Sequence, residues 1–180
     1  MSIDEHNNKE LAAAARNGEV EAFAALYERY YASMVWVAYS VLFDVDLAED
    51  AAQQAFATAC ERITDLRQAE RFGPWLARIC RNAALTIVRQ RKRQAGLQAR
   101  AGSSGQVDAE LGEFDAAVKE AIDNLPGMYR EIIALRYYNQ MSYQEIQSVL
   151  GISVDMVKGR LARARRKIQS RLKSNGFERE

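Results

Sequence analysis

The sequence predicts an all-α protein built from two small helical domains joined by a flexible linker. Only two prolines interrupt a 180-residue chain that is rich in alanine, leucine, arginine, glutamate and glutamine, all strong helix formers. Apolar residues recur at spacings of three and four along most of the sequence, which is the period of an α-helix. Residues 94–112 (QAGLQARAGSSGQVDAELG) break that pattern with glycines and serines, which indicates a linker.

The breaks in the helical pattern also set the expected domain boundaries. Asn17-Gly18 ends a short helix expected from Asn8 to Arg16, after a loose N-terminal tail. In order, the expected segments are the tail and short helix (1–18), a first helical domain (19–93), the linker (94–112), a second helical domain (113–174) and a C-terminal tail (175–180).

Composition excludes several classes of protein. No run approaches the ~20 apolar residues of a membrane span, and the first ten residues are polar, so a cytoplasmic location without membrane insertion is expected. The single histidine and two cysteines form no CxxC or His cluster, so neither a structural zinc nor a cofactor is expected. Cys60 and Cys80 lie in apolar helical patterns, which predicts two buried, reduced thiols.

The first domain begins with a long helix, residues 19–43, whose aromatic residues follow the helical period and are expected in the core. Asp46 is expected to cap the next helix, which runs to about Ile63. Its outer face carries acids and amides, which suit the positive end of the helix dipole but also suit docking to a basic protein surface. The residues alone leave these two interpretations open.

A polar loop, residues 65–73, precedes a helix that Pro74 is expected to open. Residues 76–93 contain basic residues and no acid, in contrast to the acidic residues 1–63. Asn82 and Leu85 stand among arginines on the outer face, where an amide can bond a base edge and an apolar group can pack on one. This helix therefore favours contact with nucleic acid.

The second domain ends in a predicted helix-turn-helix. Its earlier helices are residues 113–124 and a helix opened by Pro126, whose apolar side is Met128, Ile132, Ile133, Leu135 and Tyr138. Ser142 stands three residues before Glu145, as in a capping box, and Gly151 then separates this helix from one that Ser153 can cap. Helix, glycine-containing turn and helix is the pattern of many DNA-binding domains.

The last helix, residues 154–173, is strongly basic. Its inner stripe is apolar (Val154, Val157, Leu161, Ala164, Ile168 and Leu172). Gly159 and Ala162 stand on the opposite face among lysines and arginines, where small residues would let the backbone approach a groove wall. A solvated basic face is the alternative interpretation of this helix taken alone.

The whole set of motifs resembles an extracytoplasmic-function (ECF) sigma factor of the sigma-70 superfamily. The first domain resembles sigma region 2 in three stretches: FAALYERYYASM, DLAEDAAQQAFATACERI and FGPWLARICRNAALTIVRQRKR. The second resembles sigma region 4 in two: IDNLPGMYREIIALRYYNQMSYQEIQSVLGIS and VKGRLARARRKI. The order of these stretches is more specific than a single helix-turn-helix.

The resemblance implies a non-enzymatic subunit that binds the core of bacterial RNA polymerase and directs promoter recognition and transcription initiation. The partners it implies are promoter DNA, the β′ coiled coil and β flap of the polymerase, and an anti-sigma factor. The residues it implies for polymerase docking are Asp46, Glu49, Asp50, Gln53, Gln54 and Phe56.

The resemblance also divides the DNA-binding residues between two promoter elements. For the −10 element it implies Arg71, Phe72, Arg78, Arg81, Asn82, Leu85 and Arg89, with a flipped base captured near Asn82. For the major groove of the −35 element it implies Asp155, Met156, Lys158, Gly159, Arg160, Ala162, Arg163, Arg166 and Lys167.

Four positions depart from the family pattern. Asp155-Met156 replaces a common Gly-Thr pair, Thr86 replaces a frequent Asp, and Ala32 replaces a Pro. Asp155 could accept a hydrogen bond from a cytosine N4 amine or only cap its helix.

Two other functional classes compete with the sigma factor. A stand-alone helix-turn-helix transcriptional regulator would explain residues 142–173 but not the other two helices. A DNA-processing enzyme is disfavoured because no set of nucleophile, base and metal carboxylates is evident.

Overall fold

A computed structural model describes residues 3–95 and 113–177, and these residues are helical throughout apart from turns. The chain divides into two compact units, Met1–Ser103 and Ser104–Glu180. The predicted fold class, all-α with two helical domains, is confirmed. Most of the expected linker, residues 96–112, and the last residues of the expected tail, 178–180, lie outside the described residues.

Within residues 3–95, the N-terminal unit contains four helices and two short 3-10 turns. The helices are α1 (Ile3–Arg16), α2 (Val20–Leu42), α3 (Val45–Glu61) and α4 (Phe72–Ala95), and the turns are Ile63–Asp65 and Ala69–Arg71. The helices α2, α3 and α4 pack against one another, and α1 packs against α2 and the turn Ala69–Arg71. Helix α1 begins at Ile3, earlier than the expected Asn8.

Small residues let these helices pack closely. The buried face of α3 consists almost entirely of alanines (Ala48, Ala51, Ala52, Ala55 and Ala59). One large ring interrupts them: Phe56 is 3% exposed and lies 4.6 Å from the ring centroid of Tyr27 and 6.5 Å from that of Phe23. The aromatic stripe of α2 is therefore largely turned toward the core of the unit, as its period predicts.

Asp44, not Asp46, caps α3. One carboxylate oxygen of Asp44 accepts a hydrogen bond from the Leu47 amide at 3.2 Å, and the other accepts one from Arg91 Nη2 at 3.1 Å. The cap therefore also ties the C-terminal part of α4 to the N-terminus of α3. Asp46 lies in the first turn, exposed, where its charge suits the helix dipole.

Helix α4 begins at Phe72, two residues before the expected Pro74. Phe72 is 1% exposed, and its ring lies 5.4 Å from that of Tyr30. A Cβ on the next residue, Gly73, would come within 3.2 Å of the Tyr30 ring, so glycine permits the close approach of the two helices. The most buried positions of α4 are Leu76, Ala77, Cys80 and Ala84, while Ile79, Ala83 and Ile87 of the predicted inner stripe are half-buried.

The described part of the C-terminal unit, residues 113–177, contains four α-helices and one π-helical segment. These are α5 (Glu113–Asp123), α6 (Gly127–Ile133), the π segment (Ala134–Tyr138), α7 (Tyr143–Leu150) and α8 (Val154–Ser174). Helix α8 packs against α5, α6 and α7. The prediction that Met128 and Tyr138 lie on the apolar side is wrong, since both are exposed. The π segment widens the turn, which shifts the helical register and buries Ala134 beside Leu135.

The two cysteines differ in environment. Cys80 is fully buried and its thiol donates to the carbonyl of Met34 at 3.3 Å, whereas Cys60 is exposed. The expectation of a buried thiol is confirmed for Cys80 and wrong for Cys60, which lies one position beyond the buried Ala59 on α3. Burial raises the pKa of the Cys80 thiol to about 12, so the thiol is protonated at neutral pH. Within the residues that the structure describes, no helix is long and apolar enough to cross a membrane.

Candidate nucleic-acid and protein interfaces

The helix-turn-helix is set by side-chain caps at both of its helices. The Ser142 hydroxyl accepts from the Glu145 amide at 3.3 Å, and Glu145 in turn accepts from the Ser142 amide at 2.7 Å, which completes the predicted capping box. Gly151 ends α7 in the left-handed region, with φ of 67°. Ser153 then caps α8 by accepting from the Met156 amide at 3.3 Å. The turn therefore orients α8 through local sequence signals.

Helix α8 has a buried stripe and an exposed basic face. Val157, Leu161 and Ala164 are buried, and Val154, Ile168 and Leu172 are half-buried, as their spacing predicts. Of the nine residues expected to meet the −35 element, seven are exposed and Gly159 and Arg160 are half-buried. The exposed seven are Asp155, Met156, Lys158, Ala162, Arg163, Arg166 and Lys167. Most of these exposed residues are basic, so this face of α8 can approach the negatively charged groove of a nucleic acid.

Gly159 has no packing role that would require a glycine. A Cβ built on it would meet only the Arg163 guanidinium, with Nη2 at 4.0 Å. Glycine inside a helix costs about 1 kcal/mol relative to alanine. A glycine at this position therefore costs stability without a steric reason within the unit.

An arginine on the flank of α8 belongs to a cluster that the sequence did not predict. Arg165 Nε donates to the Tyr137 hydroxyl at 2.8 Å, and its guanidinium carbon lies 5.9 Å from the Tyr137 ring centroid. The hydrogen bond to Tyr137 raises the pKa of Arg165. Arg136 lies in a similar way over Tyr143, 5.3 Å from the ring centroid. Tyr137 comes from the π segment, whose altered register is not visible in a pattern of three and four.

Helix α3 presents its acids and amides together to solvent. Asp46, Glu49, Asp50, Gln53 and Gln54 are all exposed on the face opposite the alanines. Phe56, the sixth residue expected for docking, is instead packed among the rings of α2 and offers no accessible surface in this structure. Its apolar ring is more stable among other rings than in water, which explains the difference.

Helix α4 and the turn before it present the residues expected at the −10 element unequally. Arg71, Arg78, Asn82 and Arg89 are exposed, and Arg81 and Leu85 are half-buried. Phe72 is buried against Tyr30 and lies 6.0 Å from the ring of Trp75, so it supports the helix start and is not accessible to a base. Of the residues expected at the −10 element, the exposed ones are therefore three arginines and one amide.

Helix α1 supports the turn that precedes α4. Ala12 and Ala15 of α1 are buried, as is Ala69 in the turn Ala69–Arg71, and α1 packs against this turn. Two neighbouring contacts stiffen the same region. Leu66 is buried, and Arg62 forms an ion pair with Asp65 at 2.9 Å. Sequence patterns gave no sign that α1 lies here, because they do not report contacts between distant segments.

Comparison with protein families gives the same division of the chain. The model of sigma-70 region 2 matches residues 26–94, and the model of sigma-70 region 4 matches residues 115–168. The ECF RNA polymerase sigma factor SigW of Bacillus subtilis (strain 168) is 31% identical over 173 residues, which cover 88% of this chain and 92% of SigW. The RNA polymerase sigma factor CnrH of Cupriavidus metallidurans is 33% identical over 178 residues, covering 90% of this chain and 92% of CnrH.

Two solved structures resemble this chain across most of their length. CnrH in complex with the cytosolic domain of CnrY has a TM-score of 0.68 at 29% identity, covering 93% of this chain and 98% of the solved chain. The sigma factor RpoE in complex with the anti-sigma factor NepR, from Bartonella quintana, has a TM-score of 0.76 at 25% identity, covering 86% and 98%.

Together, the two matched regions and the relatives define the class: a protein of promoter recognition and transcription initiation. The chain belongs to the ECF RNA polymerase sigma factors of the sigma-70 family.

Proposed function

We propose that this protein binds core RNA polymerase through α3 and contacts promoter DNA through α4 and α8. The observation that carries the proposal is the presence, in one chain, of an exposed acidic-amide helix and two exposed basic helices. One basic helix lies in each unit, so the two together can contact two separate DNA elements. The protein has no catalytic activity of its own under this proposal and acts in the cytoplasm.

The polymerase partner of α3 is the β′ coiled coil, with the β flap as a second contact. The docking residues under this proposal are Asp46, Glu49, Asp50, Gln53 and Gln54, which share one exposed face. Phe56 supports that face from below by filling the alanine-lined interface. Carboxylates and amides of this kind provide specificity and fast association with a basic partner surface.

Polymerase docking can be tested by reversing one charge on α3. Asp50→Arg places a cation at the centre of the acidic-amide face, and we expect it to weaken binding to core polymerase by at least tenfold, about 1.4 kcal/mol. The matched control is Glu21→Arg, which makes the same change of charge at an exposed position in the first turn of α2. Equal binding by both variants would exclude α3 as the docking helix.

The −10 element is contacted by the exposed face of α4 and the turn before it. Asn82 lies among arginines and offers an amide that can hydrogen-bond the edge of an unstacked base. Arg71, Arg78 and Arg89 are exposed and contact phosphates under this proposal. Replacing Asn82 by alanine should lower initiation from the −10 element while leaving core polymerase binding unchanged, as measured on a forked DNA template.

The −35 element is contacted by α8 in the major groove. The buried stripe of α8 leaves its opposite face free, and Arg163 and Arg166 project from that face.

We also propose that an anti-sigma factor binds this protein, because CnrH and RpoE were each solved with a partner, the cytosolic domain of CnrY and the anti-sigma factor NepR, respectively. The tagged protein can be isolated from its host together with any bound anti-sigma factor. A bound protein that must dissociate before core polymerase can bind would support this proposal.

A further inference from the structure

The N-terminus of α8 presents a carboxylate that does not cap its own helix. Ser153 already caps α8 through the Met156 amide at 3.3 Å, so Asp155 is not the cap. The Asp155 side chain is 92% exposed. The sequence left capping and base recognition open for this residue, and the presence of a serine cap removes the first of these roles.

Among the residues that the structure describes, Asp155 pairs with Lys158, and this contact is weak. Lys158 Nζ lies 3.8 Å from the Asp155 carboxylate, and both side chains are largely exposed. Exposed ion pairs of this kind contribute little and exchange readily with other partners. The carboxylate is therefore available to a hydrogen-bond donor, and Lys158 is available to a phosphate.

The side chains of α8 next to Asp155, on the same face, are small. Gly159 lies one turn further along the same face, with no packing reason to be glycine, and Ala162 follows it. Side chains at a spacing of four residues lie one above the other on a helix. The small residues let the N-terminal half of α8 enter a groove deeply, and a short aspartate reaches base edges only after such close approach.

The chemistry of the major groove then selects the base. A carboxylate near DNA is repelled by phosphates and by base acceptors, so it is tolerated only where it accepts from an amine. Cytosine presents its N4 amine without an acceptor on the same base edge, whereas adenine presents N7 beside its N6 amine and thymine and guanine present carbonyl oxygens.

We infer that Asp155 makes this protein select cytosine at one position of the −35 element, by accepting a hydrogen bond from the N4 amine. This inference rests on the proposed function of α8 and adds the identity of one base. Asp155 acts mainly by disfavouring the wrong bases, because guanine and thymine at that position would place an acceptor against the carboxylate.

The test is transcription by the reconstituted holoenzyme from a promoter library randomised across the −35 region. The wild-type protein should favour cytosine at one position by roughly tenfold, the size of one good base contact. Asp155→Ala should flatten the preference at that position and leave the other positions unchanged. Asp155→Asn should favour adenine there, because a carboxamide can bond N6 and N7 together.

Two further measurements separate this role from others. Asp115→Asn removes the same charge from an exposed position on α5 and should leave base preference unchanged. If Asp155 serves only the helix dipole, its variants will lower the thermal midpoint and total activity with an unaltered base preference, which overturns the inference. If the wild-type protein initiates transcription and the Asp155 variants show the same base preference, this inference alone is refuted. If the wild-type protein fails to initiate at every promoter, the proposed function is refuted as well.

Discussion

Replacing Gly159 by alanine should raise stability and lower DNA binding at the same time. The added Cβ meets only the flexible end of Arg163 at 4.0 Å, so no steric cost opposes the gain in helix propensity. That gain is about 0.8–1 kcal/mol. For a unit of this size, 1 kcal/mol corresponds to roughly 4–8 °C in the thermal midpoint. The unfolding transition of the C-terminal unit should therefore move up by several degrees.

The same methyl group stands on the face that is proposed to approach the major groove. We expect it to hold α8 away from the base edges and to weaken binding to the −35 element by about as much as one mismatched base pair, roughly 1–3 kcal/mol. Both effects can be measured on one protein preparation, by calorimetry and by titration of a labelled promoter duplex with the holoenzyme.

The control is Gly127→Ala, which adds a methyl into open space at the first residue of α6, outside α8. It should leave promoter binding unchanged. A Gly159→Ala protein that gains stability and binds promoter DNA as before would refute the close approach of α8. A loss of stability would refute the propensity argument instead.

Four other predictions concern single residues. Asp44→Ala should lower the stability of the N-terminal unit by about 1–3 kcal/mol in urea unfolding, because the cap and the partner of Arg91 are both lost; Asp44→Asn should retain most of the cap contribution. At pH 8 iodoacetamide should modify one thiol per native chain, on Cys60, as detected by intact mass. Since burial raises the pKa of Cys80 from 9.0 to about 12, the stabilising contribution of the protonated thiol is complete below pH 9 and is lost toward pH 12. Arg163→Ala should reduce −35 promoter use by roughly 1–3 kcal/mol if it makes a bidentate base contact.

Each of these predictions about single residues has an outcome that would contradict it. An Asp44→Ala protein of unchanged urea midpoint would show that the cap and the contact with Arg91 contribute nothing. Two modified thiols in the native protein would mean that Cys80 is accessible. A Cys80→Ser protein with the same alkaline loss of stability as the wild type would assign that loss to other groups. An Arg163→Ala protein of normal activity in run-off transcription would remove this arginine from the contact surface.

The local signals in the sequence were sufficient to predict the helix-turn-helix. Ser142, Glu145, Gly151 and Ser153 act on backbone groups within a few residues, so their spacing alone specifies where α7 and α8 begin and end. The inner stripe of α8 was predictable for a similar reason, since one helix face must bury its apolar residues.

Contacts between distant segments were not predictable from the same patterns. Asp44 and Asp46 are equally good caps by type, and Arg91, 47 residues along the chain, pairs with the first of them. The family resemblance implied Phe56 and Phe72 as contact residues, but the rings of α2 provide an apolar environment that buries both. The packing of α1 against the turn before α4, and the contact of Arg165 with Tyr137, likewise depend on tertiary structure.

Under the proposed function, with one polymerase-binding surface and two DNA-binding surfaces, the protein has a requirement that a stand-alone DNA-binding protein does not have. Specific initiation must need core polymerase, both promoter elements and both basic helices together. Mapping transcription start sites with purified core polymerase and this protein tests that requirement directly. We expect starts at defined promoters that are lost in the Asp50→Arg protein. Specific DNA binding without any association with core polymerase, and no starts above those of core alone, would contradict it.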